Sequence, residues 1–164
     1  MQTSELHAET CNVFRTAYYL AKNDRPYSDH ADLIELQELN GIDLGRILHS
    51  NVTCSDVVDH ISDDMRKALI AKVLETKPPI SILIDESTNI GKTSCIIVYL
   101  RTTFDEGVGP VTFFLDIVEL CRATAEGIED ALLKCLNEHG LTSDFLRTSW
   151  IGLGVDGASV MLVM

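Results

Sequence analysis

The sequence contains no Cys-x-x-Cys pair, no apolar run of membrane length, no internal repeat and no low-complexity tract. Its best apolar run, Cys95-Ile96-Ile97-Val98-Tyr99-Leu100, falls far short of the ~20 residues a transmembrane helix needs. The first residues are polar and acidic and lack the basic start and apolar stretch of a signal peptide, so secretion is not expected. Five cysteines, Cys11, Cys54, Cys95, Cys121 and Cys135, are widely dispersed. Without a secretory signal they read as reduced, mostly buried thiols of cytosol or nucleus, and their spacing leads us to expect no zinc site. Basic residues are scarce: 13 Lys and Arg stand against 25 Asp and Glu, a formal net charge of −12. Such a field repels phosphate backbones and anionic lipid surfaces, so neither DNA binding by this stretch nor a membrane role is expected.

What is present is ordinary globular material. Hydrophobic residues make up 46% and charged residues 23% of 164 residues, one domain's length and enough chain to bury a core. The pattern divides at Pro78-Pro79, giving a helical N-terminal segment over 1–78 and a strand-rich part over 79–164. Between residues 3 and 21, Leu6, Val13, Phe14, Ala17, Tyr18 and Ala21 recur near helical spacing, and Asn23-Asp24-Arg25-Pro26 breaks the pattern. Ser28 is expected to cap a short helix that carries Leu33, Leu36 and Leu39 and stops at Gly41. A longer helix is expected over about 55–77, with Val58, Ile61, Met65, Leu69, Val73 and Leu74 as its stripe, ended by the double proline.

Residues 80–84, Ile-Ser-Ile-Leu-Ile, read as a strand buried on both faces, followed by a polar turn over 86–92. Further strands are expected over 94–102, 111–120 and 150–155, with turns at Asp105-Glu106-Gly107 and Gly109-Pro110. Thr124 can cap a helix running through Leu132, Leu133 and Leu136 to His139-Gly140, and Asp156-Gly157-Ala158 reads as another helix start. Short turns among the first three strands imply an antiparallel meander, and the intervening helix implies a crossover to a parallel fourth strand. The expected class is mixed α/β.

Several motifs compete for a function. Gly152-Leu153-Gly154-Val155-Asp156-Gly157 satisfies G-x-G-x-x-G, but an aspartate stands where pyrophosphate would approach and no following βα unit is present, so it reads as a decoy. Ile82-Leu83-Ile84-Asp85-Glu86-Ser87 has the form of a SUMO-binding peptide that adds an edge strand, although a central strand with no free edge is the simpler reading. Asp85 and Asp156 each follow an apolar strand; parallel neighbours would set them about 5 Å apart. Two carboxylates that close favour a cation between them, and hard oxygen donors suit Mg²⁺ or Mn²⁺; the plain alternative is that each caps the turn after its strand. His7, His30, His49, His60 and His139 are read as unpaired with any Cys or Asp at ligand spacing, with surface or capping roles. Ser87 lacks a Gly-x-Ser-x-Gly elbow, and Trp150 is expected to pack at the start of the fourth strand.

Four segments, Ile82-Leu83-Ile84-Asp85-Glu86-Ser87-Thr88, Ile97-Val98-Tyr99-Leu100-Arg101, Thr124-Ala125-Glu126-Gly127-Ile128 and Gly154-Val155-Asp156-Gly157-Ala158-Ser159-Val160-Met161, carry a resemblance. In order and spacing they resemble the hAT superfamily of DNA transposases, especially its domesticated vertebrate relatives. The stretch from about 14 to 77 is similar to the segment before the catalytic core in hAT-like zinc-finger proteins. The resemblance implies a partial ribonuclease-H-like fold: three antiparallel strands, a crossover helix and a fourth strand parallel to the first. It also implies nuclear localisation and a metal-binding catalytic trio of two aspartates and a glutamate. Asp85 matches the first of these and Asp156 the second. The third has no counterpart, and Leu162-Val163-Met164 departs from the expected polar continuation, so the pair is expected to be vestigial in a truncated core.

From the resemblance follow three expectations. The first is a catalytically inactive, domesticated fragment acting through protein contacts. The second is part of an E3 SUMO-protein ligase of transposase ancestry, as one vertebrate relative is described, with SUMO and its E2 as partners. The third is a metal-dependent nuclease relic using Mg²⁺ or Mn²⁺ at Asp85 and Asp156.

Overall fold

The computed structural model describes residues 2–88, 90–105 and 107–155, with side chains from residue 7 onward. Among these described residues five helices and four strands follow in the order α1 (Gln2–Lys22), α2 (Asp29–Leu39), α3 (Asn51–Thr76), β1 (Ile80–Thr88), β2 (Ser94–Thr102), β3 (Val111–Glu119), α4 (Ala125–Glu138), α5 (Ser143–Ser149) and β4 (Trp150–Val155). Contacts divide the chain into two compact units, Met1–Met65 and Arg66–Met164, with the division inside α3.

In the first unit, α1 buries Val13 and Ala17 of the expected stripe, but Tyr18, also expected there, is 42% exposed and Leu20 is buried in its stead. Gln37 Nε2 of α2 donates to Thr16 Oγ1 of α1 at 2.8 Å. Ser28 does not cap α2 as expected: its backbone is already helical (φ −58°, ψ −28°) and its side chain makes no cap bond. An N-cap needs extended backbone. Here the amide of Asp29 instead bonds the Pro26 carbonyl, and Arg25 holds the Asp29 carboxylate at 2.7 Å. α3 begins at Asn51, ahead of its apolar stripe, because Ser50 and Thr53 cap each other. The Thr53 amide donates to Ser50 Oγ, and the Ser50 amide donates to Thr53 Oγ1, both at 3.1 Å.

The second unit is a four-stranded sheet of order β3-β2-β1-β4. β1 pairs antiparallel with β2, β2 antiparallel with β3, and β1 parallel with β4, as the crossover predicts. One sheet face is the core. Ile80, Ile82 and Ile84 of β1, Ile96, Val98 and Leu100 of β2, and Phe113 and Leu115 of β3 pack there. From the helices, Ile70 and Val73 of α3, Ile128, Leu132, Cys135 and Leu136 of α4, and Phe145 of α5 complete it. Thr124 caps α4 with its side chain accepting from the Gly127 amide, and Gly140 (φ +80°) follows its end.

Three sequence expectations change here. β1 is buried on one face only, since Leu83 is half-buried and Asp85 exposed. It also runs on to Thr88: Glu86, Ser87 and Thr88, read as turn, pair with Ile96, Cys95 and Ser94, so ladder pairing overrides their polarity. α5, absent from the sequence reading, is a short helix that Thr142 caps and that buries Phe145. The helix start expected at Asp156 lies outside the described residues.

Candidate functional site

The strand-end acids come first. Ile84 of β1 and Val155 of β4 are parallel partners, the last described pair of that ladder. Asp85 directly follows Ile84 and is exposed, paired across to Ile97 of β2. Asp156, which follows Val155 in the sequence, lies outside the described residues. Carboxylate oxygens such as those of Asp85 are the donors that Mg²⁺ and Mn²⁺ take. Among the described residues, however, Asp85 belongs to no group of three converging ligand side chains, and one carboxylate does not make a divalent site. Beside it, Glu86 Oε1 is buried with no hydrogen-bond partner among the described residues.

The Ile82-Leu83-Ile84 peptide is flanked on both sides. β2 pairs with one of its edges and β4 with the other, so it presents no free strand edge. The sheet has two edge strands, β3 and β4. Leu153 and Val155 pair with Ile82 and Ile84, which are buried, yet are themselves 44% and 39% exposed. Gly152 and Gly154 face Ser81 and Leu83 on the other side of the sheet, where a Cβ at Gly152 would come within 3.0 Å of Ser81 Oγ.

A second constellation was not expected. Asp116 of β3, Cys135 of α4 and His139 at the end of α4 bring one ligand atom each within 4.8 Å of one another. Cys135 and His139 are one helical turn apart, so their side chains share a face of α4. Asp116 meets them because of a bulge: Val98 pairs with Asp116 and Tyr99 with Phe114, leaving Leu115 as the extra residue of β3. The bulge turns the carboxylate to the face that carries α4. Asp116 Oδ2 lies 2.9 Å from His139 Nε2, and its Oδ1 accepts from the Ile117 amide at 2.8 Å. Cys135 is 1% exposed. Burial pushes its thiol up to about 12, with Asp116 and Glu138 adding to the rise and Arg66 opposing it. At neutral pH this thiol therefore keeps its proton and is no free nucleophile.

The histidines, expected to be unpaired with any Cys or Asp and at the surface or in caps, are not all so: His139 meets Asp116, His7 lies against Cys11, His60 against Asp64, and His30 is buried. Cys135-x-x-x-His139 on a helix is a ligand spacing, and that signal was available. The contribution of Asp116 was not, since the bulge that aims it has no local residue signature.

Residues 44–163 match the family described as the ZMYM1/FAM200 RNase-like domain, DUF4371. The chain belongs to this family. The mixed α/β sheet of order β3-β2-β1-β4, with β4 parallel to β1, agrees with an RNase-like domain. The family is the hAT-related group of domesticated transposases. No described helix is long and apolar enough to cross a membrane.

Proposed function

We propose that this RNase-like domain of transposase ancestry no longer cuts DNA and works by binding protein through the free margin of β4. One observation carries the reading: Ile151, Leu153 and Val155 stand 72%, 44% and 39% exposed on a strand whose only described partner is β1. An edge strand with unpaired backbone groups and apolar side chains adds a strand from a partner readily. The net charge of −12 favours an extended apolar segment flanked by basic residues and disfavours a phosphate backbone. In the cell this function fits a nuclear protein, the place that transposase ancestry implies.

A photo-crosslinker placed at Leu153 tests the reading against one at exposed Glu129 on α4. A discrete protein adduct from position 153 alone, lost when Ile151→Lys is added without change in circular dichroism, is expected. Mn²⁺-dependent nicking of DNA that disappears in Asp85→Asn overturns it.

That second outcome belongs to the metal-dependent reading, which one observation favours: the parallel pair Ile84 and Val155 immediately precedes Asp85 and Asp156 in the sequence. Mg²⁺ or Mn²⁺ held by these two acids would supply charge for phosphodiester cleavage. A SUMO-directed ligase role, with SUMO and E2 as partners, requires the Ile82-Leu83-Ile84 peptide to leave its place between β2 and β4. The β4 margin serves a protein-binding role without that rearrangement.

A further inference from the structure

We propose that Asp116, Cys135 and His139 form a binding site for a zinc-class divalent cation, with one coordination position left to solvent. The three side chains supply a carboxylate oxygen, a thiolate sulfur and an imidazole nitrogen, the donor types that zinc takes in tetrahedral sites. With bond lengths of ~2.0–2.3 Å, tetrahedral ligand atoms sit roughly 3.3–3.8 Å apart. The 2.9 Å contact between Asp116 and His139 opens slightly to reach that spacing, and the remaining separations, at most 4.8 Å, close. Rotamer adjustments suffice, because Cys135 and His139 already share a helix face and the bulge already aims Asp116.

Three further features point to a cation and not to packing alone. The Cys135 thiol is buried and makes no hydrogen bond among the described residues, so its sulfur has a free lone pair inside the cluster. A bulge beside a convergent set of polar groups is the device by which strands re-aim a ligand side chain. The side chains of Asp116 and His139 are 39% and 18% exposed, so an ion and a bound water have a route in from solvent while Cys135 closes the inner side. Around the cluster, Glu138 and Asp116 supply negative charge and Arg66 opposes them.

Binding is a proton exchange without electron transfer. One metal–sulfur bond forms as the Cys135 S–H bond breaks, and the proton leaves to buffer. His139 ligates through Nε2 as neutral imidazole, its Nε2 proton passing to solvent as Nδ1 takes one up, and the hydrogen bond between Asp116 and His139 gives way to two bonds to the ion.

The full chain, stripped of metal, is titrated with Co²⁺ and then with Zn²⁺ against a chromophoric chelator. One equivalent of Co²⁺ is expected to bring a thiolate-to-metal absorption band and visible bands of tetrahedral intensity, both displaced by Zn²⁺. Cys135→Ser is expected to abolish the thiolate band, and His139→Gln to weaken zinc binding by at least about 100-fold, more than the loss of an outer-shell partner costs. Cys11 lies 3.7 Å from His7 on α1, also one turn apart, so Cys11→Ser is the control and should change nothing. If Cys135→Ser fails to fold, His139→Gln at its partly exposed position decides the matter. Absence of a thiolate band in the parent chain overturns the proposal, as does a band that survives Cys135→Ser or follows Cys11, or zinc affinity unchanged in His139→Gln.

Discussion

At the scale of single residues, His30 and Cys54 are the buried groups of the first unit whose chemistry can be tested most directly. His30 is fully buried, its Nε2 3.0 Å from the Leu48 carbonyl. Leu48 has φ +66°, a left-handed backbone that leucine rarely adopts, so the ring anchors a strained turn. His30→Ala would leave a cavity and orphan that carbonyl; we expect a loss of about 2–4 kcal/mol in a urea melt. A loss below about 1 kcal/mol would show that the ring is dispensable. Cys54, also fully buried, has its thiol pushed above the ordinary value of 9.0 by burial. Below pH 9 both folded and unfolded chains hold that proton, and stability is flat in this group. Above it the unfolded chain releases the proton first, so stability falls with rising pH, by at most ~1.4 kcal/mol per unit. Melts from pH 8 to 10.5 should show a shallower decline in Cys54→Ala than in the parent, and equal slopes would refute the shift. At the same scale, Cys135 and His139 are legible in the sequence as a helical i, i+4 pair. Asp116 is not: alternation along β3 puts it on the face opposite Leu115, and only the bulge brings both to the core side.

At the scale of elements, the breakers and the periodicities carried the reading. Pro78-Pro79 ends α3, Gly- and Pro-containing turns bracket β2 and β3, and a helix between strands makes β4 parallel to β1. What escaped was set by partners distant in the chain. β1 extends to Thr88 because β2 supplies its ladder, and α5 is too short for a period to show. α4 offers two tests of local against tertiary control. Thr124→Ala removes the side-chain acceptor for the Gly127 amide and should cost about 1 kcal/mol by thermal or chemical denaturation. Gly127→Ala is the sharper case. Helix propensity alone predicts a gain of ~1 kcal/mol from replacing glycine inside a helix. The added methyl would instead run into the Arg122 backbone carbonyl, with the Arg122 carbonyl carbon and Cβ each only 3.2 Å away. Backbone atoms of the loop that feeds the Thr124 cap cannot yield cheaply, so a net loss of about 1–3 kcal/mol is expected. A stabilised variant would mean that this loop relaxes freely.

At the scale of the whole molecule, the two units differ in how their cores are built. In the second, one cluster joins three strands of the sheet to α3, α4 and α5. The first holds two smaller clusters, one of Ala17, Leu20, Cys54 and Val57, the other of Val13, Ile34 and Leu44. Local opening free energy follows the density of buried apolar contacts, so the units should not open together. α2 buries only His30 and Ile34 and lies ahead of the residues that match the family. β1 is paired along both edges and buries Ile80, Ile82 and Ile84. Native-state hydrogen exchange of the full chain across a urea series should therefore find the amides of Ile82, Ile84, Val98 and Leu100 exchanging only by global unfolding. Those of Leu33, Ile34 and Glu35 should exchange through a smaller opening, at least about 2 kcal/mol lower, or some 30-fold faster. Convergence of both sets on one free energy without urea would mean that α3, which runs through the division at Met65 and Arg66, transmits unfolding across it. The first unit would then be an integral part of the RNase-like domain and not a segment appended to it.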